Sequence, residues 1–324
     1  MKSLNPLNPP APSFVGIDVS QDTLDVCILP EAEILTVTNT PEGRVELRDR
    51  LIAAQPRLIV LEATGGLERA IKIMLEQAGL NVARVNPRHP RAFAIASGQR
   101  AKTDRIDALN LAQFAATLIP STRGLSDQGR EQLQALVKRR DTLKRTLGDE
   151  KKRLLRCLMN VQDNIDAHIA FINASVKSLE TQIQRALEAD PARMARVKLL
   201  ETTPGVGRVT SSVLVSSFPE LGMLSSAEAA ALAGLAPFAR ESGRWKGQRF
   251  ISGGRVLVRC ALYMAAVSGV RWNVRLKALY ERLRGRGKPA KLALVACARV
   301  LLVMLNAMVR DGRPFNASLV GGGT

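Results

Sequence analysis

The hydrophobic pattern of this chain changes period once, near Asp127, and that change excludes a uniform architecture. Ahead of it, apolar residues come in short β-rich runs separated by turn formers. These are Phe14–Val19, Leu24–Leu29 and Ile34–Thr38, then RLIVLEAT over 57–64 and NVARVN over 81–86. Helical stretches alternate with the later runs. One opens at Pro41 and continues through Leu51, and another covers 67–78; 88–102 is expected as a loop with partial helix. The last helix starts at Asp104 behind a Thr103 cap and runs to about Leu118.

Strand–strand–strand–helix–strand–helix–strand–helix is the element order of a ribonuclease H-like α/β layer with a mixed sheet, expected over 13–122. Residues 1–12 read as a disordered tail. Over 123–190 the pattern becomes long and charged, with Leu133, Leu136, Val137, Leu143, Leu147, Leu154, Leu155 and Leu158 near helical spacing. An antiparallel helical pair or coiled coil is expected there, exposing leucines that a lone copy leaves wet, and hence at least a homodimer. Beyond Pro191, residues 191–324 are expected to be mostly α-helical, with Gly- and Arg-rich loops.

Charge divides the chain the same way. Residues 1–120 hold 13 basic and 13 acidic side chains; the remaining 34 basic and 16 acidic, and with them the whole +18 excess, lie in 121–324. A neutral front and a basic back suit a chain whose back half holds a polyanion, most commonly nucleic acid. Four cysteines without a CxxC pair, and only two histidines, exclude the usual zinc spacings and a disulfide framework. The Pro-rich start has no apolar signal core. The apolar run Val295–Val309, broken by Arg299 and Asn306, reads as too short to span a bilayer comfortably. A cytoplasmic protein without a membrane partner is expected.

Four carboxylates stand out in the front half. Asp18 sits mid-strand in VGIDVS, Glu62 ends an apolar strand in LIVLEATG, and Asp104 and Asp107 begin the last helix. In a ribonuclease H-like sheet the first and fourth strands are adjacent and the last helix crosses their ends, so all four are expected to converge. Positions i and i+3 of a helix share a face, about 5–6 Å apart. Converging carboxylates are costly without a cation. Mg2+ accepts hard oxygen ligands and leaves room for phosphate and water. Asp18, Glu62, Asp104 and Asp107 are therefore expected to be both metal ligands and catalytic residues in phosphodiester chemistry. Taken singly, each has a plain structural role, as a helix-dipole partner, a hairpin residue or a cap; their joint placement favours the metal.

In the back half, LLETTPGVGRVTSSVLVSSF over 199–218 looks like a helix-hairpin-helix, whose Gly205 and Gly207 would offer backbone N–H groups to a phosphate beside Arg208. An ordinary tight helix–helix turn would read the same. Between two apolar helices, residues 230–266 carry Arg240, Arg244, Lys246, Arg249 and Arg255 among glycines, with Trp245 able to stack on a base. Ser242 lies in this loop; a lone serine is ordinarily a turn former, and becomes a nucleophile only if something activates it.

GIDVS, LEATG, KTDRIDA, TTPGVG, GLAP, ESG, ISGGR and LYMAA, in this order from about Phe14 to Phe315, together resemble the DEDD insertion-sequence transposases of type one-hundred-and-ten. These are bridge-RNA-guided serine recombinases, related to pilin-gene invertases. The resemblance implies a Holliday-junction-resolvase-like (RuvC-like) front domain, a coiled coil and a C-terminal transposase domain. It places the family's acidic residues on Asp18, Glu62, Asp104 and Asp107, and its catalytic serine on Ser242. It also implies donor and target DNA and a structured non-coding RNA as partners, a dimer assembling to a tetramer, and a bacterial, nucleoid-associated setting. The basic loop GRWKGQRF departs from the family pattern in detail. Two other functions fit the composition equally: a junction-resolving nuclease using metal-activated water, with Ser242 incidental, and a non-catalytic nucleic-acid-binding scaffold.

Overall fold

β1 (Phe14–Val19), β2 (Thr23–Leu29) and β3 (Glu33–Thr38) form an antiparallel meander. β4 (Leu58–Glu62) pairs parallel with the other edge of β1, and β5 (Val82–Val85) pairs parallel with β4, giving the order β3-β2-β1-β4-β5. The computed structural model of the chain describes residues 12–99, 103–120, 122, 127–238, 241–242, 245–247 and 250–316. It divides into two units, Met1–Asp127 and Gln128–Thr324. The tail expected over 1–12 lies, except for its last residue, outside the described residues.

In the first unit β1 is covered on both faces, and its alternation decides what each face does. Val15, Ile17 and Val19 join a core with Leu47 and Leu51 of α1 (Pro41–Ala54) and Ile71 and Leu75 of α2 (Arg69–Gln77). On the opposite face Phe14 and, from β4, Leu58 and Val60 pack with Leu111, Phe114 and Ala115 of α4 (Asp104–Leu118). The stretch expected to be mostly loop folds into α3 (Arg88–Ala96), with Pro90 in the first helical turn, where a missing N–H costs nothing. This mixed sheet flanked by helices is compatible with the ribonuclease H-like order.

The second unit is mostly helical: α5 (Gln128–Leu154), α6 (Met159–Glu188), α7 (Pro191–Glu201), α8 (Arg208–Ser217), α9 (Ser226–Ala233), α10 (Val256–Trp272), α11 (Val274–Gly285) and α12 (Ala290–Asp311). Among the described residues between α9 and α10 lie four two-residue strands. β6 (Pro237–Phe238) pairs with β9 (Phe250–Ile251), and β7 (Glu241–Ser242) with β8 (Trp245–Lys246). α5 and α6 do form the expected helical pair, yet Leu133, Val137, Ile183 and Leu187 belong to the same core as α8, α10 and α12. Leu143 and Leu147 are covered by Ile172 and Val176. The inner leucines are thus buried within one chain, whereas Leu155, Leu158 and Met159, around the turn between α5 and α6, stay largely exposed, as does Phe171 further along α6.

The expectation for Val295–Val309 needs correction. It lies in a helix of 22 residues, long and apolar enough by composition to cross a bilayer. Half of that apolar stretch is buried inside the unit. Asn306, which broke the apolar run, is itself buried. Its Oδ1 accepts from the Gly222 N–H at 2.8 Å and its Nδ2 donates to the Leu224 carbonyl at 2.7 Å.

Candidate active site

The approach of α4 to β1 is set by a residue with no side chain. Gly16 shares the β1 face of Phe14 and Asp18. A Cβ built there would sit 2.2 Å from the Ala108 carbonyl oxygen and 2.3 Å from the Ala112 nitrogen. Both are backbone atoms of α4, which cannot turn aside as a side chain can. Gly16 therefore lets the helix carrying Asp104 and Asp107 lie directly on the strand carrying Asp18. Gly16→Ala is expected to cost about 1–3 kcal/mol of stability, the usual range for overpacking, read by chemical denaturation.

The register brings the other carboxylates to the same place. β1 and β4 are parallel with Ile17 opposite Leu61, so Asp18 and Glu62 end neighbouring strands. At α4, the Thr103 hydroxyl accepts from the Ile106 N–H at 3.3 Å, and the Thr103 carbonyl from the Asp107 N–H at 2.8 Å. That cap fixes the first turn, where Asp104 and Asp107 lie one turn apart. A fifth carboxyl, Asp25, stands opposite Asp18 in β2 but is anchored by the Thr36 hydroxyl at 2.6 Å.

Sequence reasoning passed over Glu68. It is buried and accepts from the Thr64 N–H at 3.2 Å and the Gly66 N–H at 2.8 Å, and pairs with Arg84 at 3.0 Å. One carboxylate thus ties down the turn that follows Glu62.

Burial first, then the charges of Glu62, Asp107 and Asp104, push the Asp18 carboxyl up from 3.8 to about 6, against a hydrogen bond from the Val19 backbone. Asp18 thus feels the charges of the other three. Among the described residues, however, no three His, Cys, Asp or Glu side chains stand close enough to form a metal-binding group. The donors are hard oxygens whose repulsion a divalent cation would relieve, and such an ion completes its shell with water and phosphate. In chemistry, though not as a closed ligand set, the residues fit one.

A raised acid pKa has a definite sign in stability. The folded chain holds the Asp18 proton more tightly than the unfolded chain. The stabilisation this gives is fully present below about pH 4 and is lost as pH rises through about 6. Asp18→Asn is expected to remove that decline and to raise the melting temperature at neutral pH without divalent ions. A divalent cation should then stabilise the parent more than the variant, as a thermal melt series would show.

The back-half candidates divide into two groups. Gly205, in the α7–α8 turn with φ +98°, would place a Cβ 2.6 Å from the Ala265 carbonyl oxygen of α10, so close packing demands it. Arg208 pairs with Glu201 at 2.9 Å. Arg255 grips Glu220 through two bonds of 2.6 and 2.7 Å, donates to the Ser217 carbonyl and lies over the Phe218 ring. These three have structural work within the chain. Gly207 caps α8 with open space beside its Cα. Arg240, Arg244 and Arg249 lie outside the described residues. Ser242, Trp245 and Lys246 are described as backbone, with Ser242 opposite Trp245 across the β7–β8 pair.

Residues 15–162 match a family model described as a transposase, and residues 197–281 one described as transposase IS116/IS110/IS902 family. The pilin gene-inverting protein of Moraxella lacunata is 30% identical over 315 residues, covering 94% of this chain and 98% of that protein. Its namesake from Moraxella bovis matches to the same extent. A 43.6 kDa protein of insertion element IS110 from Streptomyces coelicolor is 30% identical over 169 residues, half of this chain and 40% of its own length. With motifs, family models and a relative matched nearly end to end in agreement, the chain belongs to the IS110-family transposases, enzymes of DNA recombination.

Proposed function

We propose that this transposase recombines donor and target DNA under the guidance of a structured non-coding bridge RNA, through a covalent bond between Ser242 and a DNA phosphate. The observation that carries the catalytic half of this reading is the register that sets Asp18 beside Glu62 on neighbouring strands of a ribonuclease H-like (RuvC-like) sheet, with α4, which bears Asp104 and Asp107, packed directly on Gly16. Asp18, Glu62, Asp104 and Asp107 would together hold Mg2+, which when bound supplies Lewis-acid polarisation of a phosphate. The chain's own residues do the rest. The Ser242 Oγ–P bond forms as a P–O bond to a deoxyribose breaks; the serine gives up its proton and the departing sugar oxygen takes one up. Attack by the sugar hydroxyl of the exchanged strand reverses these changes, so the strands are resealed without an external energy source. The DNA inversion named in the Moraxella relatives is the same class of reaction.

Arg240, Arg244, Trp245, Lys246 and Arg249, with the Gly207 turn, are the proposed nucleic-acid contacts. Gly205, Arg208 and Arg255 are proposed to hold the shape of that surface. A homodimer assembling to a tetramer, built in part on the exposed Leu155, Leu158 and Met159, and a nucleoid location complete the proposal. Neutralising Arg244, Lys246 and Arg249 together should lower the slope of log affinity against log salt by up to about 3, since each phosphate contact adds close to one unit. The guide itself is tested by omission: with Mg2+ and DNA carrying the element's end, strand cleavage at the defined site should require the RNA transcribed beside the gene. Equal, equally placed cleavage without RNA would overturn the guided mechanism.

A further inference from the structure

A residue lining the cleft beside the carboxylates carries a donor that the chain leaves unsatisfied. Asn110 lies on α4 one turn beyond Asp107; it is 4% exposed, and its Nδ2 has no hydrogen-bond partner. Buried amide donors without a partner are rare because they lose water and gain nothing in return. Asn110 lines a cleft of about 320 Å³ together with Glu62 and Asp107 and, from α3, Arg88 and Arg91. Both arginines are exposed, and neither is ion-paired among the described residues. An occupant must accept a hydrogen bond at the cleft wall and carry negative charge for the two guanidiniums. A cation held by Glu62 and Asp107 would fill the opposite side of the cleft and leave Asn110 and the two arginines to an anionic partner.

We propose that this cleft seats a backbone phosphate of the DNA strand next to the carboxylates, with Asn110 Nδ2 donating to a non-bridging oxygen and Arg88 and Arg91 neutralising its charge. Charge-assisted bonds from a fixed amide and two guanidiniums would hold the strand in register beside Asp18 and Glu62. The role assigned to this phosphate rests on reading those carboxylates as the cutting site; its binding does not.

The test measures binding of a fluorescein-labelled DNA duplex to the full-length protein in EDTA, across a salt series, so that strand cleavage does not intervene. Arg88→Ala/Arg91→Ala, at exposed positions, should lower the log–log salt slope by about 1, the share of one phosphate. Asn110→Leu should weaken binding by about tenfold, the scale of one hydrogen bond to a charged group, while raising the melting temperature of the free protein because the orphan donor is gone. A merely structural asparagine would not move those two readings in opposite directions. Asn110→Asp, which exchanges the donor for a charge, should weaken binding further. An unchanged slope in the arginine variant would overturn the proposal. So would an Asn110→Asp protein that binds DNA like the parent and differs only in Mn2+ affinity, since the amide would then belong to a cation. If Asp18→Asn retains full cleavage while the arginine variant loses its slope, the carboxylate reading fails and the phosphate seat stands.

Discussion

Asp18→Asn, Glu62→Gln and Asp107→Asn should each reduce strand cleavage on the order of 10³-fold or more, the scale seen when one member of a catalytic unit is removed. Each exchange keeps the side chain's size and removes a charge, so the cores on either side of β1 have no reason to move. DNA and RNA affinity should stay within a few-fold of the parent, because the +18 excess lies entirely in residues 121–324. Asp18→Asn is the most telling of the three. Its carboxyl is held up to about 6 by burial and by the charges of Glu62, Asp107 and Asp104, so losing it relieves repulsion. The variant should be more stable and inactive together, a pairing that damage to the fold cannot produce. Single-turnover cleavage on a denaturing gel, beside thermal melts of the same preparations, checks both halves.

Ser242→Ala should abolish the covalent intermediate and reduce cleavage below detection, while nucleic-acid binding persists. A hydroxyl is a weak nucleophile at neutral pH. The chain's two histidines, His89 and His168, form no evident Ser-His-Asp arrangement, and His168 lies 3.4 Å from Glu150 in the helical pair. In the proposed reaction, activation comes largely from the phosphate's side, through the carboxylate site and the loop cations. Ser252→Ala, in the same loop, should retain the intermediate and serves as the control. Gly16→Ala should fall between these extremes. It keeps every carboxylate but displaces α4, and a misplacement near 1 Å is enough for a loss of about 10²-fold.

Much of the front unit was legible because its signals are local. Val15, Ile17 and Val19 alternate with Phe14, Gly16 and Asp18, and that period places Asp18 and α4 on one face. Thr103 and the two aspartates after it announce their helix by residue type. Glu68 was passed over because its partners are two backbone N–H groups and Arg84, sixteen residues on, and no spacing rule links them. Gly16 did leave a signal, a glycine inside a strand, which reports a close neighbour without saying which one. Arg255 and Arg208 looked like free cations because charge patterning along a sequence cannot see Glu220, thirty-five residues away, or the turn that brings Glu201 to Arg208. The two-residue strands around Ser242 are shorter than any period. The helical pair shares a core with residues far beyond it because Leu133 and Leu187 find α8 and α10 only in three dimensions.

The most direct measurement is peptide mapping of the adduct formed when the protein, DNA carrying the element's end, the flanking RNA and Mg2+ are mixed and quenched in denaturant. The expected result is a nucleotide joined through phosphate to Ser242 in the parent protein, and no adduct in Asp18→Asn or in Ser242→Ala. An adduct on any other residue, or cleaved DNA with no adduct at all, would contradict a serine nucleophile working with the carboxylate site.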